Sequence, residues 1–243
     1  STNPKLTERG FDNVFRVCGR DDRQGTIAGD YLADNFAGKK VAIAHDKQTY
    51  SKSLADAAKI QLNKRGINED MYDTINPGKK GYAAFVGKLK QNKIEVLYFG
   101  GYHAEAGLIV REMRAQGMST LLVSGDDLVT GKYWAITGAA GEGTLMTYGP
   151  DPRKSAAAKS VAETIRKGGF EPEGSTLYTY AAVQVWAQAA AKAGSTDLAK
   201  MAKFLYSNTF QTVLGDVNFD AKGDIKQPVY VWYQWRDGKY AEK

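Results

Sequence analysis

The sequence predicts an α/β protein whose parallel sheet is covered by helices on both faces. Short apolar segments alternate with amphipathic segments of helical length between residues 39 and 151, which is typical of consecutive β-α units. The apolar residues of the short segments follow one another without alternation, as in strands that are buried on both faces. After Pro150 the segments are mainly helical. We therefore predict two regions, an α/β region at about 22–149 and a helix-rich region after it.

The elements of the α/β region follow from local patterns. Val41–Ala44 is the apolar centre of the first strand, and Leu54, Ala58 and Leu62 share one stripe of the helix that follows it. Gly66 is positioned to end that helix. In chain order the predicted elements are strand 39–45, helix 51–66, strand 67–75, helix 82–92, strand 94–100, helix 104–117, strand 120–125 and strand 141–151.

The helix-rich region contains three predicted helices and a two-stranded tail. The helices span 154–169, 177–194 and 197–208, and the strands span 215–220 and 229–235. The helix at 177–194 is apolar nearly all round, which predicts that it is largely buried. The strand at 229–235 alternates aromatic with other residues, which is consistent with the edge of a sheet.

Composition and motifs argue against several classes of function. The 243 residues carry a net charge of +6 spread along the chain, without an arginine-rich tract, so no nucleic-acid partner is expected. No apolar run approaches the roughly 18 residues that span a bilayer. The sequence has no phosphate loop and no catalytic motif, so we expect neither an enzyme nor a cofactor. His45 and His103 lack partners at metal-ligand spacing, so no metal site is predicted.

Polar and aromatic residues follow three of the predicted strands. They read HDKQTY at 45–50, GGYH at 100–103 and SGDD at 124–127. In an open parallel sheet, ligands bind beyond the carboxyl ends of the strands, so Tyr50, Tyr102 and Asp126 are expected at one rim. The glycine pair Gly100-Gly101 is interpreted as a sharp turn that directs Tyr102 into the crevice.

Two tyrosines and a carboxylate suit an ammonium group. The carboxylate accepts charge-assisted hydrogen bonds, and the aromatic rings offer cation–π faces. The alternative is that Tyr50 and Tyr102 only pack and that Asp126 caps the helix after it. The sequence leaves both interpretations open.

Five segments resemble a known family. They read HDKQTYSKSLA, VLYFGGYHAEAGLIVREMRAQG, GEGTLMTYGPDPR, YTYAAVQVWA and VLGDVNFDAKGD. Together they closely resemble the leucine/isoleucine/valine-binding proteins, the periplasmic substrate-binding components of branched-chain amino-acid ABC transporters. The resemblance implies the two-lobed type I periplasmic-binding-protein fold, with parallel sheets flanked by helices. Lobe 1 would comprise residues 1–20 and 150–227, and lobe 2 residues 21–149 and 228–243.

The resemblance also implies roles for individual residues. Tyr50 and Tyr102 match tyrosines that line the amino-acid site, and Asp126 stands where the family commonly has a glutamate that holds the α-ammonium. Ser175 falls where relatives carry an aromatic wall of the pocket. His103, beside Tyr102, is a further ligand-binding candidate. The hinge would lie at Asp21, Asp22, Gly149 and Pro150. The shorter aspartate and the serine make a small neutral amino acid or γ-aminobutyrate as consistent with the sequence as a branched-chain ligand.

The resemblance further implies partners and a compartment. The partners are an amino acid and the membrane permease of an ABC transporter, in the periplasm, and the full-length family is expected to be monomeric. The family's segment before STNP is absent from this sequence, which predicts an incomplete lobe 1. Weak or absent amino-acid binding and self-association through the exposed lobe 1 edge would follow. The alternatives are a ligand-sensing receptor domain of the same fold and a nucleotide-dependent α/β enzyme.

Overall fold

Nine strands form one large sheet and one hairpin in the computed structural model, which describes residues 1–243. The strands are β1 Val41–His45, β2 Met71–Thr74, β3 Val96–Gly100, β4 Leu121–Ser124, β5 Leu145–Tyr148, β6 Phe210–Thr212, β7 Gly215–Val217, β8 Val231–Arg236 and β9 Lys239–Glu242. The large sheet has the order β2-β1-β3-β4-β5-β8-β9. Its first five strands are parallel, β8 pairs antiparallel with β5, and β9 pairs antiparallel with β8.

Eight α-helices accompany the strands. They are α1 Asp21–Phe36, α2 Thr49–Lys64, α3 Ala83–Gln91, α4 His103–Ala115, α5 Gly131–Thr137, α6 Lys159–Lys167, α7 Thr176–Ala193 and α8 Leu198–Ser207. The chain divides into two units. Unit 1 comprises Ser1–Arg20 and Gly149–Val229, and unit 2 comprises Asp21–Tyr148 and Tyr230–Lys243. Unit 2 contains the large sheet with α1–α5, and unit 1 contains α6–α8 with the β6–β7 hairpin.

The sheet of unit 2 is buried on both faces. Ala42 and Phe99 point into a core layer shared with α3 and α4, whereas Ile43 and Tyr98 point into a second layer under α1 and α2. All five residues of β1 and all five of β3 are buried. The predicted α/β architecture of this region is thereby confirmed.

Helices α1 and α2 approach each other through two glycines of α1. A Cβ added to Gly25 would lie 2.4 Å from the Ala57 Cβ, and one added to Gly29 would lie 2.6 Å from the Gln61 Cβ. Only a residue without a side chain allows this separation. The sequence analysis did not identify α1 or the short α5, and both lie in unit 2.

The prediction that the helix at 177–194 is largely buried is wrong. One stripe of α7 is buried in unit 1 and includes Ala181 and Val185. A second stripe, formed by Tyr180, Val183 and Trp186, is exposed, with Val183 at 62% and Trp186 at 52%. The apolar pattern is therefore real, but only one of the two stripes has a layer to pack against.

The tail of the chain also differs from the prediction. Strand β8 is not the edge of the sheet, because β9 pairs with it on its outer side. In unit 1, β7 is shorter than the predicted strand 215–220 and pairs with β6, which the sequence analysis missed. The predicted helix 154–169 contains α6 only from Lys159 onward, after two 3₁₀ turns.

Candidate strand-end site

Three neighbouring parallel strands end at one rim of the sheet in unit 2. His45 at the end of β1 is in register with Gly100 at the end of β3, and Phe99 is in register with Ser124 at the end of β4. The residues that follow these strands therefore emerge side by side. The sequence analysis predicted this juxtaposition from strand ends alone.

The glycine pair after β3 serves close packing. Neither Gly100 nor Gly101 has a positive φ angle, so neither adopts the left-handed conformation that requires glycine. A Cβ on Gly100 would lie 2.4 Å from the backbone oxygen of Ser51 in α2, and one on Gly101 would lie 2.2 Å from the Phe99 ring. Gly100 thus lets the first turn of α2 reach the end of β3, and the chain bends at Gly101, where the turn was predicted.

Tyr50, Tyr102 and Asp126 lie together at this rim. The Tyr50 hydroxyl donates a hydrogen bond of 2.7 Å to Oδ1 of Asp126. The rings of Tyr50 and Tyr102 have centroids 5.1 Å apart and planes tilted by 46°. All three side chains are half-buried. Each comes from a different element: the first turn of α2, the residue before α4, and the 3₁₀ turn Asp126–Leu128.

Burial sets the electrostatics of this cluster. It raises the pKa of Asp126, whereas hydrogen bonds to its carboxylate oppose that rise. Burial also raises the pKa of Tyr50 well above its usual value, and the neighbouring Asp126 adds to the effect. A carboxylate whose ionised form is penalised by burial gains from a bound cation. The cluster is therefore suited to an ammonium group, with aromatic faces beside it.

The second carboxylate of the SGDD segment has a different role. Oδ2 of Asp127 accepts hydrogen bonds of 2.8 Å from the His103 backbone N–H and 2.7 Å from its ring Nδ1. Asp127 thus caps α4 from another element. The alternative that Asp126 caps the next helix is wrong, because Thr130 caps α5 and Asp126 accepts from Tyr50.

The loop between β1 and α2 is held by its own polar side chains. His45 is buried, and its Nδ1 accepts a hydrogen bond of 2.9 Å from the Lys47 backbone N–H. Burial lowers the pKa of His45. Asp46 accepts bonds from the backbone and side chain of Gln48. These contacts fix the loop that leads to Tyr50.

No group of three or more His, Cys, Asp or Glu side chains is arranged to hold a metal ion.

The comparison with protein families is decisive for the fold. Residues 2–239 match the family model described as periplasmic binding protein.

The chain belongs to the periplasmic binding protein family.

Two relatives of this periplasmic binding protein are named as proteins that bind amino acids. A Leu/Ile/Val-binding protein homolog 1 of Brucella melitensis is 49% identical over 99% of this chain and 66% of the relative. An amino acid binding protein of Pseudomonas aeruginosa is 49% identical over 99% of this chain and 65% of the relative. The chain thus spans slightly less than two thirds of the length of these relatives.

A solved structure agrees with the architecture. The crystal structure of a leucine-binding protein from Thermotoga maritima matches with a TM-score of 0.89 and 26% identity, over 100% of this chain and 70% of that protein. The predicted α/β class, with parallel strands flanked by helices, is confirmed. None of the helices combines the length and the apolar composition that a membrane-spanning helix requires.

Sequence reasoning missed two polar residues beside the cluster of this periplasmic binding protein. Gln24 in α1 is buried, and its Nε2 donates bonds of 2.8 Å and 2.9 Å to the backbone oxygen and Oγ1 of Thr147 in β5. The available signal was the segment DDRQG at 21–25, where acidic residues open a helix. This helix-start signal was not used, because the sequence analysis did not predict α1.

Of the two remaining predicted residues, Ser175 lies in unit 1 and His103 lies next to the cluster. Ser175 belongs to unit 1, where it is exposed, directly precedes α7 and accepts a bond from the Thr179 hydroxyl at its backbone oxygen. His103 lies beside Tyr102 and is held by Asp127. The roles of Ser175 and His103 in ligand binding stay predictions.

Proposed function

We propose that this chain is an amino-acid-binding component of an ABC transporter and that its strand-end cluster holds the ammonium group of the ligand. The observation that carries the proposal is the half-buried Asp126 carboxylate, oriented by Tyr50 at 2.7 Å, with the Tyr102 ring packed against the Tyr50 ring. A carboxylate flanked by two aromatic rings attracts a cation by charge and by cation–π contact.

The ligand class follows from the chemistry and from the names of the relatives. The 49% identical relatives are named as Leu/Ile/Val-binding and amino-acid-binding proteins. An aspartate at position 126 reaches less far than a glutamate would. We propose a neutral amino acid as the ligand, with γ-aminobutyrate and small side chains tested beside leucine and isoleucine.

The proposed mechanism is capture by two hinged lobes. The chain passes between its two units at Arg20–Asp21, Tyr148–Gly149 and Val229–Tyr230. The proposed hinge residues Asp21, Asp22, Gly149 and Pro150 adjoin the first two of these passages. Closure of hinged domains on a ligand is a common mechanism of binding proteins and produces a form that a partner can recognise.

The proposed setting is the periplasm, with the permease of the transporter as partner. The family assignment supports an extracytoplasmic binding role. We propose that the ligand is bound and released without chemical change. Mass spectrometry of ligand recovered after incubation with the protein would detect any conversion.

The test compares two neighbouring carboxylates. Saturation-transfer NMR would measure binding of alanine, leucine, isoleucine and γ-aminobutyrate to the wild type, Asp126→Asn and Asp127→Asn. Loss of the charge at Asp126 is expected to weaken binding by ~10-fold or more, because a charge-assisted hydrogen bond is lost. Asp127→Asn is the matched control, since an amide oxygen can still cap α4. Equal affinity of the wild type and Asp126→Asn for every amino acid would contradict the proposal.

A further inference from the structure

His45 holds the loop at 46–48, between β1 and α2, through one nitrogen of its ring. The side chain is buried, and Nδ1 accepts a hydrogen bond of 2.9 Å from the Lys47 backbone N–H. An imidazole nitrogen can accept a hydrogen bond only while it carries no proton. The single proton of the neutral ring must therefore lie on Nε2, and the contact exists only in this neutral form.

Lys47 adopts a backbone conformation that depends on such contacts. Its φ angle is +70°, in the left-handed region that a residue with a side chain adopts only at a cost in free energy. The backbone N–H is bound by His45, and Nζ donates a hydrogen bond of 2.7 Å to Oδ1 of Asn76, which follows β2. Loss of the His45 contact removes the bond that acts directly on the strained backbone.

The position of Tyr50 follows from this loop. Gln48 comes directly after Lys47, and its backbone oxygen accepts a hydrogen bond of 2.9 Å from the Lys52 backbone N–H in the first turn of α2. Tyr50 belongs to the same turn, and its hydroxyl donates to Asp126 at 2.7 Å. A displacement of the Lys47 backbone is therefore transmitted to the Tyr50 hydroxyl through the start of α2.

We propose that His45 is a positioning residue for Tyr50 and that it holds the loop only while its imidazole is neutral. Protonation of Nδ1 would bring two N–H groups against each other, so acidification releases Lys47 and with it the orientation of Tyr50 toward Asp126. The significance for ligand binding rests on the proposed function, whereas the loop contact itself can be tested without a ligand.

The surroundings of His45 favour the neutral ring. The charged and titratable groups that face it come from α2, the loop and β2, and they are Lys52, Asp56, Asp46, Lys47 and Tyr72. Burial lowers the pKa of His45, the two lysines act in the same direction, and the two aspartates oppose them. Because the folded protein favours the neutral ring, the contact is present at neutral pH and is lost as the pH falls through the lowered pKa.

The second histidine at this rim is an internal control. Nδ1 of His103 lies 2.7 Å from Oδ2 of Asp127, and an ionised carboxylate only accepts hydrogen bonds, so this Nδ1 carries a proton. Protonation of His103 then occurs at Nε2 and leaves the bond to Asp127 in place. The two histidines are both bonded through Nδ1, but only the His45 contact is broken by acid.

The test is an NMR titration of the full chain without ligand, from about pH 8 to about pH 5. Ring ¹⁵N shifts are expected to place the proton of neutral His45 on Nε2 and that of His103 on Nδ1. The Lys47 amide should change its shift and lose exchange protection with the midpoint of the His45 titration. The His103 amide, which donates to Asp127, should stay protected.

Two variants connect the loop to ligand binding. His45→Asn offers a carbonyl acceptor that cannot be protonated, whereas His45→Phe keeps a ring and offers no acceptor. At neutral pH, His45→Asn should bind leucine or γ-aminobutyrate ~3-fold or more tightly than His45→Phe does, because the Lys47 N–H keeps a partner. Between about pH 7.5 and about pH 5, the wild type should lose ~3-fold or more affinity beyond the loss in His45→Asn. The loss that the two proteins share then reports on Asp126.

The outcomes separate the inference from the proposed function. A proton on Nδ1 of neutral His45, or a Lys47 amide that does not follow the His45 titration, would overturn the inference whether or not the wild type binds amino acids. Coupled titration in a protein that binds no amino acid would uphold the loop contact and remove the proposed ligand. Binding with the same pH profile in the wild type and His45→Asn would overturn the positioning role. If neither variant folds, the wild-type NMR titration decides alone.

Discussion

At the scale of single residues, the strand-end cluster depends on a position without a side chain. Gly125 has a φ angle of −98°, which any residue can adopt, so its constraint is steric. A Cβ there would lie 2.4 Å from Cδ2 of Leu54 and 3.0 Å from the Tyr50 hydroxyl. The first contact is with the buried core under α2, and the second is with the group that orients Asp126. Gly125 is therefore constrained both by core packing and by the hydroxyl that orients Asp126.

Gly125→Ala is expected to disturb both the Leu54 packing and the position of the Tyr50 hydroxyl. Displacement of Leu54 should lower the free energy of unfolding by ~1–3 kcal/mol, as overpacking of a core does. Displacement of Tyr50 should weaken amino-acid binding. Urea unfolding and ligand titration measure the two effects. Gly81→Ala is the control, since a Cβ there meets no atom within 4 Å and should change stability by less than ~0.5 kcal/mol. Equal stability of Gly125→Ala and the wild type would contradict the steric argument.

At the scale of elements, glycines in helices have opposite roles. Gly25 and Gly29 of α1 face α2, where an added Cβ would lie 2.9 Å from the Ala58 backbone nitrogen and 2.7 Å from its backbone oxygen, respectively. Backbone atoms inside a helix cannot move aside. Gly87 in the middle of α3 has no atom within 4 Å of its Cβ position. A glycine with no packing role only lowers helix stability.

Alanine substitutions should therefore change stability in opposite directions. Gly87→Ala is expected to raise the free energy of unfolding by ~0.5–1 kcal/mol through the higher helix propensity of alanine. Gly25→Ala and Gly29→Ala are expected to lower it by ~1–3 kcal/mol, because α1 must move away from α2. Urea unfolding of the three variants tests the signs. A Gly29→Ala variant that is more stable than the wild type would show that α1 can move away from α2 without a loss of stability.

The same elements explain what could be predicted from the sequence. Strands β1 and β3 are apolar runs, and α2 and α4 have clear apolar stripes, so local patterns identified them. Helix α1 was not predicted because its buried face consists mainly of small residues, Gly25, Ala28, Gly29 and Ala33, with Leu32 as its one large apolar residue, so the apolar stripe is weak. Gln24 was missed with it. Asp126 and the two tyrosines were found because strand ends of a parallel sheet converge, whereas the Gln24–Thr147 contact depends on tertiary packing.

At the scale of the whole molecule, the exposed apolar residues are distributed unevenly. Of the eight large hydrophobic residues that are exposed, seven belong to unit 1, and Ile60 alone belongs to unit 2. The sheet of unit 2 is buried on both faces, while α7 of unit 1 leaves Tyr180, Val183 and Trp186 exposed. Contiguous exposed apolar surface promotes association.

Self-association through the exposed α7 stripe is therefore expected at high protein concentration. Trp186→Glu should reduce it, because the substitution removes the largest apolar side chain of the stripe and places there a charge that opposes burial against a second copy. Light scattering coupled to size-exclusion chromatography over a concentration series measures the effect. Ile60→Glu in unit 2 is the control and should leave association unchanged. Identical association of the wild type and Trp186→Glu would exclude this surface.

The distribution of tryptophans gives each unit its own optical signal. Trp186 is the one tryptophan of unit 1 and is about half exposed, so its fluorescence emission should be red-shifted and accessible to acrylamide. Trp134, Trp232 and Trp235 belong to unit 2, where Trp134 stacks on the buried Trp235 with centroids 5.5 Å apart. The exposed Trp186 and the buried Trp235 therefore report on different parts of the chain. A single cuvette of unlabelled protein can follow the unfolding of both units at once.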